Sequence, residues 1–546
     1  MLTPNIGMVE IGSLIASGYI FYVLLKRFVR NPPTRLKGPS SRNFLFGIMP
    51  RILNAPDSDV IYEEWAAQYG SVFSIPATFG SRNVVLTDPK TIAHFAARET
   101  YGYIGTPRAK RIQEKLFGKG LVWAEDDSHK RRAATGTKPG VQQCGYQELD
   151  SSFLRFYVQG KLLSSADKIT HVVNRRKPRG MRYLNVGLRM ERQSRFRNGR
   201  MNHISLDTIG LAGFAHDFGT LSGKMSTIAK AFDEIGSKPS FLDTVSFILS
   251  LIIPFLSMGV IPTARGSLLN QLTKEMRALG DKFLETTSDV TTDKSVIGLL
   301  VKSASSEQIS QEEVRAQINV LLLAGYETTA ISLTWALIEL SRNPAIQTKL
   351  REELLQLGGD PNWEELNKHG SFLDAVACEI LRCHPPLAET DRMAAEDDIL
   401  PLSMPIETID GQVVDSLFVH KGTIVTLPIA CLNRSEAFWG PTAKDFSPAR
   451  WLDEAEGIDK HRARELQGYR HLLTFVDGAR MCLGKTFALV EFKAVLSVLV
   501  RNYTFEFPNG AETALGRHRN ILFRPKVEGE TGYGVPLKIR PYLGSE

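Results

Sequence analysis

Five cysteines, Cys144, Cys378, Cys383, Cys431 and Cys482, are spread over 546 residues without a CxxC pair or an even framework. That count argues against a disulfide-stapled secreted protein and against a thiolate zinc site. No internal repeat or long low-complexity tract divides the chain. Met1 to Gly7 contain no Lys or Arg, so the basic start of a cleaved signal peptide is missing. The formal net charge is only +7, and it is unevenly placed. Residues 134–200 hold 14 Lys and Arg against 4 Asp and Glu, net +10, so the rest of the chain is slightly negative. This basic segment has no helical apolar stripe and no surrounding nucleic-acid module, so a nucleic-acid partner is not expected. Three readings stay open for it: an anionic-surface patch, a solvated insertion, or the favoured one, an error in the assembled coding sequence. Ordering so polar a stretch costs about 1 to 2 kcal/mol per residue in backbone entropy, so it is expected to pack poorly.

One apolar run stands near the start. Met8 to Leu25 is 18 residues with only Glu10 charged, roughly 27 Å as a helix and long enough to span a bilayer core. Lys26, Arg27 and Arg30 follow, which by the positive-inside rule keeps that end and the body of the protein cytosolic. Asn31 to Pro39 then reads as a stiff polar linker. The expected organisation is a membrane anchor over 1–30, a Pro-rich linker over 31–50, and one catalytic domain over 51–546 that includes the atypical 134–200.

The most informative stretch is Phe475-Val476-Asp477-Gly478-Ala479-Arg480-Met481-Cys482-Leu483-Gly484. It sets one cysteine in a glycine-bracketed loop beside an arginine. Glycines permit positive φ and let a backbone approach a flat ligand without a Cβ clash. The pattern from Lys485 onward is helical, so Cys482 sits at a helix N-terminus, where the dipole favours thiolate over thiol. Five residues fixed at these spacings arise by chance with a probability on the order of one in ten thousand. Phe-x-x-Gly-x-Arg-x-Cys-x-Gly resembles the haem-binding signature of the cytochrome P-450 superfamily.

Further segments resemble the same family. In Gln317 to Ala330 an apolar helix carries Ala324-Gly325-Tyr326-Glu327-Thr328-Thr329 at its middle. A mid-helix glycine costs about 1 kcal/mol and a buried carboxylate more, so these residues need a reason. The resemblance implies that Ala324 and Gly325 leave room for dioxygen and that Thr328 and Glu327 hold water and relay protons. Glu379-Ile380-Leu381-Arg382, weak evidence alone, is followed in the expected order by Phe446-Ser447-Pro448-Ala449-Arg450-Trp451. The family's pattern pairs Glu379 and Arg382 with Arg450 behind the haem. Arg392, Arg480 and His129 match positions that contact a propionate, although Ala133 stands where an arginine is expected. Gly70 to Pro76 and Asn83 to Asp88 read as two strands, with a helix opening at Asp88-Pro89. The likeness breaks after Ala133 and resumes near Met201.

The resemblance implies a mainly α fold with a small β-region and an N-terminal transmembrane anchor, of the microsomal class and most like fungal members. It implies haem b held by the Cys482 thiolate, with Phe475, Gly478 and Gly484 shaping the loop. The implied activity is monooxygenation: O2 and electrons from an NADPH-cytochrome reductase place one oxygen atom in a lipophilic small molecule, in fungal secondary metabolism or xenobiotic oxidation. The implied location is the endoplasmic reticulum membrane, single-pass, with the domain on the cytosolic side. The same scaffold also serves isomerases and dehydratases, and a membrane-tethered inactive haem protein is the remaining alternative; the intact Glu327-Thr328-Thr329 set favours oxygen activation.

Overall fold

The computed structural model describes residues 18, 35–55, 57–137, 199–214, 216–222, 242–243, 263–287, 310–452, 461–519, 522–530 and 534–544. The expected anchor over 1–30, apart from residue 18, and nearly all of the basic segment 134–200 lie outside the described residues.

The body is mainly helical. Its axis is the Gln311–Arg342 helix, 32 residues and roughly 48 Å long. The helix starts with a capping box, in which the Ser310 hydroxyl accepts from Glu313 N–H while the Glu313 carboxylate accepts from Ser310 N–H. It ends at Arg342, where Asn343-Pro344 cannot continue the ladder. The helices packed around it include Gly199–Phe214, Ala264–Thr287, Phe372–Cys383 and Lys485–Asn502. The core between them is aliphatic, with Leu333, Leu337, Val376, Ile380, Val495 and Leu499 all buried. Among the described residues only the Gln311–Arg342 helix is long and apolar enough to cross a membrane, and it is a buried core helix.

The small β-region follows β-branched, apolar segments punctuated by Gly and Pro. β1 (Val72–Pro76) and β2 (Arg82–Leu86) form the expected antiparallel pair. β3 (Tyr103–Gly105) and β4 (Thr390–Ala394) come next in the chain, then the long hairpin β5 (Asp398–Glu407) and β6 (Val413–Val419), then β7 (Ile424–Leu427). The main sheet runs β1-β2-β7-β4-β3, with β2 and β7 parallel and the other neighbours antiparallel. Near the C-terminus β8 (Tyr503–Glu506), β9 (Leu515–Arg519), β10 (Phe523–Val527) and β11 (Lys538–Pro541) form the pairs β11-β8 and β10-β9. The helix expected at Asp88-Pro89 is present as Pro89–Ala97, with the Asp88 carboxylate accepting from Thr91 N–H at 3.0 Å.

Within the range read from the sequence as linker, residues 36–39 and 46–48 are packed on the sheet. Leu36 is buried, Ser74 N–H donates to Lys37 C=O at 2.9 Å, and a Cβ at Gly38 would collide with the Ser74 carbonyl. Polar and proline-rich composition hid this because several of the contacts are backbone contacts, which leave no side-chain pattern.

Candidate active site

The Cys482 loop leaves the sheet side of the molecule at Phe475 and enters the Lys485–Asn502 helix, for which Gly484 is the N-cap. Cys482 N–H donates to Phe475 C=O at 2.8 Å, closing the loop, while Phe475 itself is buried edge-on to Tyr469. Of the four cysteines in the described residues, Cys378, Cys383 and Cys431 are buried and Cys482 alone is exposed. Burial pushes the thiol up, and the Gly484 N–H and the Lys485 ammonium oppose that rise.

The two bracketing glycines act differently. Gly478 has φ +70, and a Cβ there would strike the Ala96 carbonyl, so it serves a close approach to the Pro89–Ala97 helix. Gly484 has φ −88, with nothing within 4 Å of a Cβ. Positive φ is needed only at the first, and open space lies beside the second.

Across the central helix the face at Leu321, Ala324, Gly325 and Thr328 is only partly covered, and Ala324 is exposed, while the residues between them are mostly buried. The spacing i, i+3, i+4, i+7 puts all four on one stripe. Thr328 Oγ1 donates to Ala324 C=O at 2.6 Å. One expectation changes here, and Glu327 gains a partner that the sequence did not show. A Cβ on Gly325 would lie 2.9 Å from Ile209 Cγ1, so this glycine lets the Gly199–Phe214 helix approach, and Ala324 supplies the open space. Glu327 is held by Arg524 of β10, with Nε at 3.0 Å and a second guanidinium nitrogen at 2.9 Å from the same oxygen, both side chains buried.

Behind the loop, Glu379 is fully buried among donors. Arg382 clamps both its oxygens at 2.8 Å, Trp451 Nε1 donates at 2.8 Å, Ser447 N–H at 2.9 Å, and Arg450 Nε lies at 3.5 Å. Arg382 goes on to the carbonyls of Asn433, Ala443 and Asp445. Burial alone would raise the Glu379 carboxyl, but Arg382, Arg450 and the Ser447 N–H outweigh it and hold the group below its ordinary value. An exposed Glu–Arg pair contributes well under 1 kcal/mol, whereas this one ties three chain segments together.

The three residues matched to propionate contacts also converge. His129 on the Asp126–Thr137 helix feels both Arg480 in the loop and Arg392 on β4: burial, followed by the two guanidiniums, presses its imidazole down to about 4. Each arginine is already paired with an acid: Arg392 Nε lies 2.8 Å from Glu99 Oε1, and Arg480 bonds Glu125 and the Ala124 carbonyl. At Ala133, where an arginine was expected, the nearby cation is Arg132, whose Nε donates to Glu313 at 3.0 Å. Sequence reasoning missed Arg524, Glu99, Glu125 and Glu491. Glu491, buried on the helix that follows Cys482, lies beside Ser205 and Thr329, and burial pushes its carboxyl up to about 8. A helical acid flanked by apolar residues was the one available signal for it.

These residues fit a flat, dianionic, thiolate-held group. One exposed cysteine stands at a helix start, a stripe with Ala324 and Gly325 crosses the central helix, and two half-buried arginines lie in and near the loop, with Arg480 Nε lacking a hydrogen bond. The cytochrome P450 family model matches residues 197–530, starting where the likeness resumes after the basic segment. The cytochrome P450 monooxygenase claP of Ampulloclitocybe clavipes is 47% identical over 97% of this chain and 98% of its own. From the same organism, the cytochrome P450 monooxygenase claQ is 47% identical over 95% of this chain and 96% of its own, and claO is 46% identical over 97% and 98%. The loop, the buried Glu379 network and likeness over nearly the whole chain lead to one conclusion: this chain belongs to the cytochrome P450 family and carries haem with an axial cysteine thiolate.

Proposed function

We propose that this chain is a haem-thiolate monooxygenase in which Cys482 is the axial ligand and the substrate is a lipophilic small molecule. The carrying observation is that Cys482 is the exposed cysteine at a helix start while the other three described cysteines are buried. When bound, the haem supplies the binding of dioxygen and the cleavage of its O–O bond, with the thiolate pushing electron density toward that cleavage. The rest is done by side chains. The Cys482 N–H bond to Phe475 holds the loop, and the Glu379-Arg382-Arg450 network fixes the chain behind it. Thr328, on the open stripe, keeps its hydroxyl proton on the Ala324 carbonyl and presents oxygen lone pairs to the reacting space. Glu327 lies behind it against Arg524, and the two residues together govern proton delivery at Thr328 Oγ1. Ala324, exposed and carrying only a methyl group, leaves room where dioxygen must fit.

Electrons come from an NADPH-dependent reductase. The apolar run at Met8 to Leu25 supports a single-pass anchor in the endoplasmic reticulum membrane with the domain on the cytosolic side, and the fungal origin of the relatives supports a place in secondary metabolism. The test is turnover of a lipophilic panel by the full chain with reductase, NADPH and 18O2. One labelled oxygen per product supports the proposal, whereas NADPH-independent isomerisation or dehydration of the same compounds would replace it.

A further inference from the structure

The chain carries its own anions at the cations that a haem propionate pair needs. Glu99 is 1% exposed, and its Oε1 lies 2.8 Å from Arg392 Nε without hydrogen-bond geometry, so both of its oxygens are buried with no hydrogen bond. Burial raises its carboxyl, and Arg392 and Arg480 only partly oppose that rise. Glu125 is better placed: it pairs with Arg480, accepts from Gly105 N–H at 2.7 Å and has Lys110 Nζ at 3.8 Å. Arg480 Nε has no hydrogen bond. His129, itself buried, is neutral at neutral pH because burial and the charges of Arg480 and Arg392 depress it.

The local charge follows from these residues. Arg392, Arg480 and Lys110 bring three positive charges, and Glu99 and Glu125 remove two. A dianionic propionate pair then meets a cluster with one net positive charge, in surroundings where like charges are poorly screened. Arg392 and Arg480 must therefore turn from the internal carboxylates to the propionates as haem enters, leaving Glu99 with even less than it has now.

We propose that Glu99 and Glu125 are internal competitors of the haem propionates for Arg392 and Arg480, so that the two carboxylates set how tightly this chain holds its cofactor. No bond is made or broken; one set of carboxylates replaces another at two guanidiniums. The proposal rests on the haem-thiolate reading, and its effect is on haem retention rather than on chemistry at the iron.

The test is haem transfer from the full-length holoprotein to excess apomyoglobin, followed by the Soret change, for the parent and for Glu99→Gln and Glu125→Gln. Each substitution keeps size and one acceptor oxygen while removing one competing charge. Transfer is expected to slow about tenfold in Glu99→Gln and by less in Glu125→Gln, whose other partners also lose an acceptor. A merely structural role for either acid predicts the opposite, faster loss of haem together with a lower unfolding temperature. Slower transfer in either variant supports the proposal; transfer as fast as the parent's or faster in both overturns it. A parent that carries no haem overturns this proposal and the monooxygenase reading together, whereas a loaded parent with unresponsive variants overturns this proposal alone.

Discussion

Arg524 of β10 reaches Glu327 of the central helix across 197 residues of sequence, with two guanidinium nitrogens within 3.0 Å of one carboxylate oxygen and both side chains buried. Removing one partner of such a pair strands the other charge and costs about 3 to 5 kcal/mol, whereas removing both can be nearly neutral. Arg524→Met is expected to lower stability by that order in urea unfolding, and Arg524→Met with Glu327→Leu to recover most of it. If the double variant is no more stable than the single, the pair is not the unit that fixes the C-terminal hairpin to the central helix.

The two glycines around the cysteine make opposite predictions. Gly478→Ala forces a Cβ into the Ala96 carbonyl at φ +70, and the strain and the clash together are expected to lower stability by about 2 kcal/mol or more. Gly484→Ala meets no protein atom, so its unfolding temperature should match the parent's within a degree or two while its haem content falls. Both quantities are read from thermal unfolding and haem quantification on the same preparations. Equal haem content in Gly484→Ala and the parent would place the cofactor away from this glycine.

The Cys482 loop was legible because its information is local. Ten consecutive residues carry the exposed cysteine, the turn and the helix start. The Glu379-Arg382-Arg450 network was legible only by order along the chain, since Glu-x-x-Arg on its own reads as a surface pair. Gly325 was misread because a small residue in a helix serves equally for a ligand and for a neighbouring helix, and only the position of Ile209 separates the two. Arg524 and the acids Glu99 and Glu125 were not legible at all. They act through contacts between distant segments, and nothing in their own neighbourhoods distinguishes them from solvated charges.

Glu491 gives a pH dependence with a definite sign. Its carboxyl is raised to about 8 in the folded chain by burial, only partly opposed by Ser205 and Thr329, against an ordinary value near 4.5. Between those values the folded state binds more protons than the unfolded state, so its contribution to stability falls as pH rises from about 4.5 to 8. Glu389, raised to about 7, acts in the same direction. Glu491→Gln should therefore flatten the decline of unfolding temperature between pH 5 and pH 8 without removing it. A steeper decline in the variant would contradict the assignment.

Thr328 is expected to act on coupling rather than on cofactor retention. Thr328→Ala removes the hydroxyl from the open stripe but no contact other than the one to the Ala324 carbonyl, so haem content and stability should stay near the parent's. Product formed per NADPH consumed should fall, with the difference appearing as peroxide. Full coupling in this variant would remove Thr328 from the proton path.

The central claim is that Cys482 is the sulfur that holds the iron, and the reduced carbon-monoxide difference spectrum of the full chain beside its Cys482→Ser variant tests it most directly. A thiolate-type Soret band is expected in the parent and its loss in the variant. A variant that keeps an unchanged thiolate-type band would assign the ligand to another cysteine and contradict the account.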